Sequence, residues 1–265
     1  MKIRSVLPAL VIFFIICPVS LAAESSVIAL CYHTFYDGNR SQYDISPDTL
    51  EAQIQTMLEM GYTFVSFQEM MEGTVRGTNN ILITIDDGSL SVNYAFANVL
   101  SRYKIKPLLF IYPGRINKSK ALTFDEIRSL IDNGSTIGAH GYSHLKITKN
   151  LFLSDNKAFK KEILGAKQKL ETVFSYKVLA FAYPYGIVAA ESIQEIEASG
   201  YYCAFTINYG EIHVPLSDNK DLFRLPRYMV TKSSWPFIEK LLSSRSGLTS
   251  STIIKKQGSI RLPTR

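Results

Sequence analysis

Short apolar runs alternate with helical stripes along most of this chain. Residues 26–32, 63–66, 81–85, 107–112, 136–139, 178–182 and 201–206 are largely apolar stretches of strand length. Such runs are expected of strands buried on both faces. Between them apolar residues recur at helical spacing, as in Leu50, Ile54, Met57 and Leu58, or Ile127, Leu130 and Ile131. Helices are predicted from Pro47 to Gly61, from residue 67 to 71, over 91–103, from 123 to 134, from 154 to about 174, over 191–199 and over 235–242. Ser46, Thr123 and Ser154 are the expected N-caps, Pro47 suits a first helical position, and Gly61 suits a helix end. Residues 224–230 are one more candidate strand.

This alternation is the pattern of βα units around a parallel sheet. Seven or eight units in roughly 220 residues predict an α/β fold of the (β/α) barrel type rather than an open sheet. In such barrels, polar residues at the C-terminal strand ends form the site. His33, Asp86, Asp87, His140 and Tyr185 all follow predicted strands.

Composition changes this picture mainly at the two ends. The formal charge is +6, with Lys2 and Arg4 at the start and more basic residues after position 245. No arginine-rich helix or basic-aromatic patch points to nucleic acid. Residues 1–23 read as an export signal: a positive start, an apolar run over 6–19, then Ser20-Leu21-Ala22-Ala23 as a cleavage region. The alternative is an uncleaved membrane anchor. Residues 24–244 are expected to form the domain, and 245–265 a flexible basic tail. A secreted or periplasmic monomer is expected. Cys31 and Cys203 remain in the mature chain; a disulfide between them and two buried free thiols are both open.

The candidate chemistry lies in two short stretches. The apolar run 81–85 ends in Asp86-Asp87-Gly88. Taken alone this is a turn. Successive strand side chains point to opposite faces, so both acids can serve one pocket only if the strand ends or kinks there. His140-Gly141-Tyr142-Ser143-His144 spaces two imidazoles for one metal ion. Two histidines and a strand-end carboxylate would leave coordination positions open for water and substrate, the layout of a catalytic site. The second carboxylate would then be free to take a proton.

These residues carry a family resemblance. Thr84-Ile85-Asp86-Asp87-Gly88, His140 to His144 and Phe181-Ala182-Tyr183-Pro184-Tyr185-Gly186 resemble, in order and spacing, three motifs of the polysaccharide deacetylases, carbohydrate esterase family 4 with its NodB-homology domain. The resemblance implies a distorted (β/α) barrel and a divalent metal, usually zinc, held by Asp87, His140 and His144. It makes Asp86 the general base and gives the oxyanion to the backbone N–H of Tyr185. Tyr183, Pro184 and Tyr185 would line the sugar site. Where many members carry a base-orienting arginine this chain has Ala182, and the late leucine-histidine motif is not evident. His213 is read as a loop histidine.

Tyr32-His33 and the Phe181–Gly186 motif are similar to a subgroup acting on poly-β-1,6-N-acetylglucosamine, which makes His33 the general acid. Arg224-Leu225-Pro226-Arg227 also resembles that subgroup. It places Arg227 near the site, binding substrate or fixing a carboxylate by a bidentate contact. The expected activity is hydrolysis of N-acetyl groups on an N-acetylglucosamine polymer. An O-acetyl esterase and a non-catalytic glycan binder are the alternatives.

Overall fold

The computed structural model describes residues 24–36 and 41–247. The expected leader, and the tail beyond residue 247, lie outside the described residues. Among the described residues no helix is long and apolar enough to cross a membrane.

Among the described residues nine strands form one mixed sheet: β1 (Ser25–Tyr32), β2 (Thr63–Phe64), β3 (Asn80–Asp86), β4 (Leu108–Ile111), β5 (Thr136–Ala139), β6 (Ala180–Ala182), β7 (Cys203–Phe205), β8 (Ile212–Val214) and β9 (Tyr228–Met229). The path runs β7-β6-β5-β4-β3-β1-β8, with every pairing parallel except β1 with β8. The start of β1 pairs with β8, but its end, at Leu30 and Cys31, pairs with β9. Just before β9, Leu225 forms a parallel bridge to Phe205 of β7. The segment from Leu225 to Met229 thus links β7 to β1 at the end where the strands finish. The barrel is drawn together there, and it is distorted at the other end, where β2 and β8 attach. This is the expected distorted (β/α) barrel.

Strand alternation sorts the core into two groups. Val27, Ala29, Leu82, Leu108, Phe110 and Phe205 form one buried cluster inside the barrel. Ile28, Leu30, Ile81, Ile83, Leu109 and Ile137 face outward and pack with helical residues such as Ile54 and Leu170. Gly138 is needed because a Cβ there would sit 2.6 Å from the Phe110 ring.

The helices are α1 (Pro47–Glu59), α2 (Phe67–Met71), α3 (Ser91–Ala95), α4 (Phe124–Asp132), α5 (Lys149–Ser154), α6 (Asn156–Lys160), α7 (Ala166–Phe174), α8 (Ala190–Ala198) and α9 (Trp235–Ser246). Ser46 and Thr123 cap α1 and α4 as expected, each accepting a backbone N–H three residues on. A π-helical turn, Phe96–Leu100, continues α3, and another, Lys161–Gly165, joins α6 to α7.

Three expectations are corrected. The long helix is capped by Asp155, whose carboxylate accepts from Ala158 N, while Ser154 ends the preceding helix α5. His213 is in strand β8, opposite Ser26, and not in a loop. Arg245 belongs to α9 and pairs with Glu211.

Candidate active site

The acid pair is resolved by backbone geometry. Asp86 is the last residue of β3 and has the inward parity of Leu82 and Thr84. Asp87 then takes the left-handed conformation at φ 74°, followed by Gly88 at φ 64°. The kink therefore starts at Asp87 itself, and it returns the second carboxylate to the same pocket as the first.

Asp87 Oδ1 lies 3.4 Å from His144 Nε2 and 3.7 Å from His140 Nε2, and the two imidazole nitrogens are 3.2 Å apart. A tetrahedral ion with N and O ligands at about 2.0–2.2 Å would separate them by about 3.3–3.6 Å. Asp87 Oδ1 is buried and has no hydrogen-bond partner. His140 Nδ1 donates to Ala182 O at 2.8 Å, which fixes the ring and leaves the Nε2 lone pair for a metal. The three residues therefore fit a divalent ion, and they form one of two candidate metal-binding groups among the described residues. His144 also sits at a left-handed φ of 62°, with its ring between Tyr112 and Tyr185. Left-handed non-glycine residues are unusual and cluster at functional sites, held by their surroundings. Tyr185, at φ 60°, is a third here.

Asp86 is held by the arginine missing at position 182. Arg227 Nη1 donates to Asp86 Oδ1 at 2.7 Å and Nη2 to Oδ2 at 2.9 Å, a bidentate pair with both side chains buried. The guanidinium is fixed in turn by Thr206 O (3.0 Å) and Thr84 Oγ1 (3.1 Å), and it lies over the Phe110 ring. The segment that draws the barrel together carries Arg227, and this is how a residue 141 positions along the chain reaches the acid. Cys31 Sγ donates to the same carboxylate at 3.4 Å. Burial alone would raise the Asp86 carboxyl; Arg227, with help from His140, overcomes it and holds the group well below the usual carboxylate range.

His33 lines the cleft beside Asp86, Asp87, His140 and His144. A ring nitrogen of His33, Cys31 Sγ and an Asp86 oxygen lie within 4.8 Å of one another. Its Nδ1 is buried without a hydrogen-bond partner, and its ring packs against Tyr43. Burial, only partly offset by Asp86 and Asp87, pushes His33 below the ordinary histidine value. Burial and the neighbouring His140 push His144 down to about 4.

The cleft has a volume of about 290 Å³. Tyr185 stands 55% exposed at its edge, but Tyr183 is 1% exposed and its hydroxyl donates to Phe223 O. Tyr183 and Tyr43 also line the cleft, while Pro184 is buried behind the wall. Arg227 is fully buried and has no surface for substrate, so of its two expected roles the carboxylate contact is the one found. The turn after β6 uses Gly186 N and Ile187 N for its own hydrogen bonds, to Tyr183 O and Pro184 O. Cys31 and Cys203 are free and buried. The sequence reading missed Cys31 as a neighbour of Asp86, and Tyr43, Ile207 and Met229 as cleft residues. Cys31 could have been found, since it stands two before His33 on one strand face.

Residues 74–204 match the sequence profile of the polysaccharide deacetylases, a stretch that includes all three motifs. The chain belongs to the polysaccharide deacetylase family. It is 24% identical over 186 residues to YxkH of Bacillus subtilis, covering 68% of this chain and 64% of YxkH. It is 19% identical over 244 residues to the poly-β-1,6-N-acetyl-D-glucosamine N-deacetylase of Staphylococcus aureus, covering 82% of this chain and 83% of that protein. Among solved structures it is similar to IcaB from Ammonifex degensii, with a TM-score of 0.72 at 23% identity, covering 82% of this chain and 97% of IcaB. The NodB-type fold of this family is the distorted barrel described above.

Proposed function

We propose that this chain is a metal-dependent hydrolase that removes N-acetyl groups from an exported N-acetylglucosamine polymer, with poly-β-1,6-N-acetylglucosamine as the favoured substrate. One observation carries the reading. A triad fit for a metal (Asp87, His140, His144) shares a cleft with a second carboxylate that Arg227 holds in place. The S. aureus relative supports the choice of polymer. The leader read at residues 1–23 supports action outside the cytoplasm.

Asp87, His140 and His144 would hold the divalent ion, zinc being the expected one. Bound there, it supplies Lewis-acid polarisation of the acetamide carbonyl and an acidified water. Asp86 accepts the proton of the attacking water. His33, with a ring nitrogen within 4.8 Å of an Asp86 oxygen, receives that proton and delivers it to the departing nitrogen. The C–N bond breaks, the carbonyl carbon keeps the water oxygen, and acetate and a free amine leave. The Tyr185 N–H donates to the oxygen that gains charge during attack. The Tyr185 ring, exposed at the cleft edge, packs against the sugar.

The test is acetate release from defined glycans: β-1,6-linked and β-1,4-linked N-acetylglucosamine oligomers and acetylated xylan. The reading expects release from the β-1,6 oligomers. Release from acetylated xylan alone would make the protein an O-acetyl esterase, and no release from any would refute hydrolysis.

A further inference from the structure

We propose that Glu162 is a positioning residue for the metal triad: its carboxylate sets the shape of the 141–145 loop, and through it the metal affinity of His144. The inference rests on the metal site proposed above.

Glu162 is a carboxylate only 1% exposed. Its partners are backbone N–H groups rather than a cation. Tyr142 N donates to Oε2 at 3.0 Å, Ser143 N to Oε1 at 3.0 Å and to Oε2 at 3.1 Å, and Leu145 N to Oε2 at 3.2 Å. Successive N–H groups wrapped around an anion form a nest. Here the anion belongs to the protein and the nest is the loop that carries His144. His144 is the residue between the clamped Ser143 and Leu145, and it holds its left-handed φ of 62° between them.

The surroundings are built for this contact. Gly141 takes φ 72°, and a Cβ there would lie 2.6 Å from Glu162 Oε2, so the close approach depends on glycine. On the other side of the loop, Gly114 N donates to Tyr142 O at 2.8 Å. Lys161 Nζ lies 4.5 Å from the centroid of the Tyr142 ring. Glu162 itself is in the π-helical turn Lys161–Gly165, and such turns within helices are frequent at functional sites. The two imidazoles are thus fixed by different means. His140 is set by its own hydrogen bond to Ala182 O, while His144 has ring neighbours and a backbone shaped by Glu162.

The experiment measures Zn²⁺ affinity by competition with a chromophoric chelator, with Co²⁺ visible absorption as a report on coordination geometry. It uses the full-length wild type, Glu162→Gln and Glu162→Ala, and records thermal unfolding of each metal-free protein. Glu162→Gln keeps one carbonyl oxygen for the nest, but its amide NH₂ faces an N–H donor. Loss of such supporting contacts weakens metal binding by about 10–100-fold. The expected result is a drop near the low end for Glu162→Gln, a larger one for Glu162→Ala, and an altered Co²⁺ spectrum in both. A purely structural role would lower the unfolding temperature while leaving the Zn²⁺ affinity of folded Glu162→Gln at the wild-type value, and that result overturns the inference. If Glu162→Ala does not fold, Glu162→Gln decides alone. A wild type that binds no metal overturns the metal reading, and this inference with it.

Discussion

Replacing Arg227 by methionine removes the guanidinium and leaves a buried carboxylate behind. Four hydrogen bonds end with it: two to Asp86, one to Thr84 Oγ1 and one to Thr206 O. Breaking a buried ion pair on one side costs about 3–5 kcal/mol. For a domain of this size that lowers Tm by about 6–20 °C. The pH dependence gives the sharper test. In the wild type Asp86 is held below its unfolded value, so the pair contributes stability above about pH 3.9 and loses it as pH falls through the folded value. In Arg227→Met burial is unopposed and raises the carboxyl, so the variant is penalised at high pH and gains stability as the acid protonates on acidification. The Tm gap between the two proteins, measured with chelator present, is therefore expected to shrink from pH 8 to pH 5. Asp86→Asn added to Arg227→Met is expected to recover most of the loss, because no charge is left unpaired. Arg227→Lys keeps the charge but not the fork, and should fall between. A gap that is the same at pH 8 and pH 5, with no recovery in the double variant, would refute the reasoning.

Other outcomes follow from the same geometry. His140→Ala, His144→Ala and Asp87→Asn should each purify with less bound zinc than the wild type, read by elemental analysis. A chelator should stop acetate release, and added divalent metal should restore it. Tyr185→Ala should raise KM for a glycan while changing stability by no more than about 0.5 kcal/mol, since the ring is 55% exposed; a drop in kcat alone would contradict its role as a wall. Cys31 and Cys203 are free and buried, so neither should react with a thiol reagent in the native protein and both should react after unfolding.

The barrel was legible because its strands are buried on both faces and announce themselves as apolar runs separated by capped helices. Two acids and two histidines at strand ends were legible for the same reason. What the sequence hid is what depends on closure and on backbone conformation. Arg227 pairs with Asp86 only because the segment from Leu225 to Met229 joins β7 to β1. The family resemblance placed Arg227 near the site with a carboxylate contact as one of its two roles, but the residue pattern alone does not separate it from Arg224, which makes an exposed pair with Asp221. The turn after β3 uses two left-handed residues, Asp87 and Gly88, and only the glycine could be anticipated from residue type. Glu162 reads as one more helix carboxylate between lysines, and its burial against the 141–145 loop comes from packing that no periodicity records. His213 was read as loop because a three-residue antiparallel strand leaves almost no pattern.

The most direct test of the account is acetate release from a β-1,6-linked N-acetylglucosamine oligomer by zinc-loaded wild type beside zinc-loaded Asp86→Asn. The account predicts release by the wild type, and loss of at least about 100-fold in the variant with zinc still bound, as for removal of a general base. Undiminished release by Asp86→Asn would contradict it.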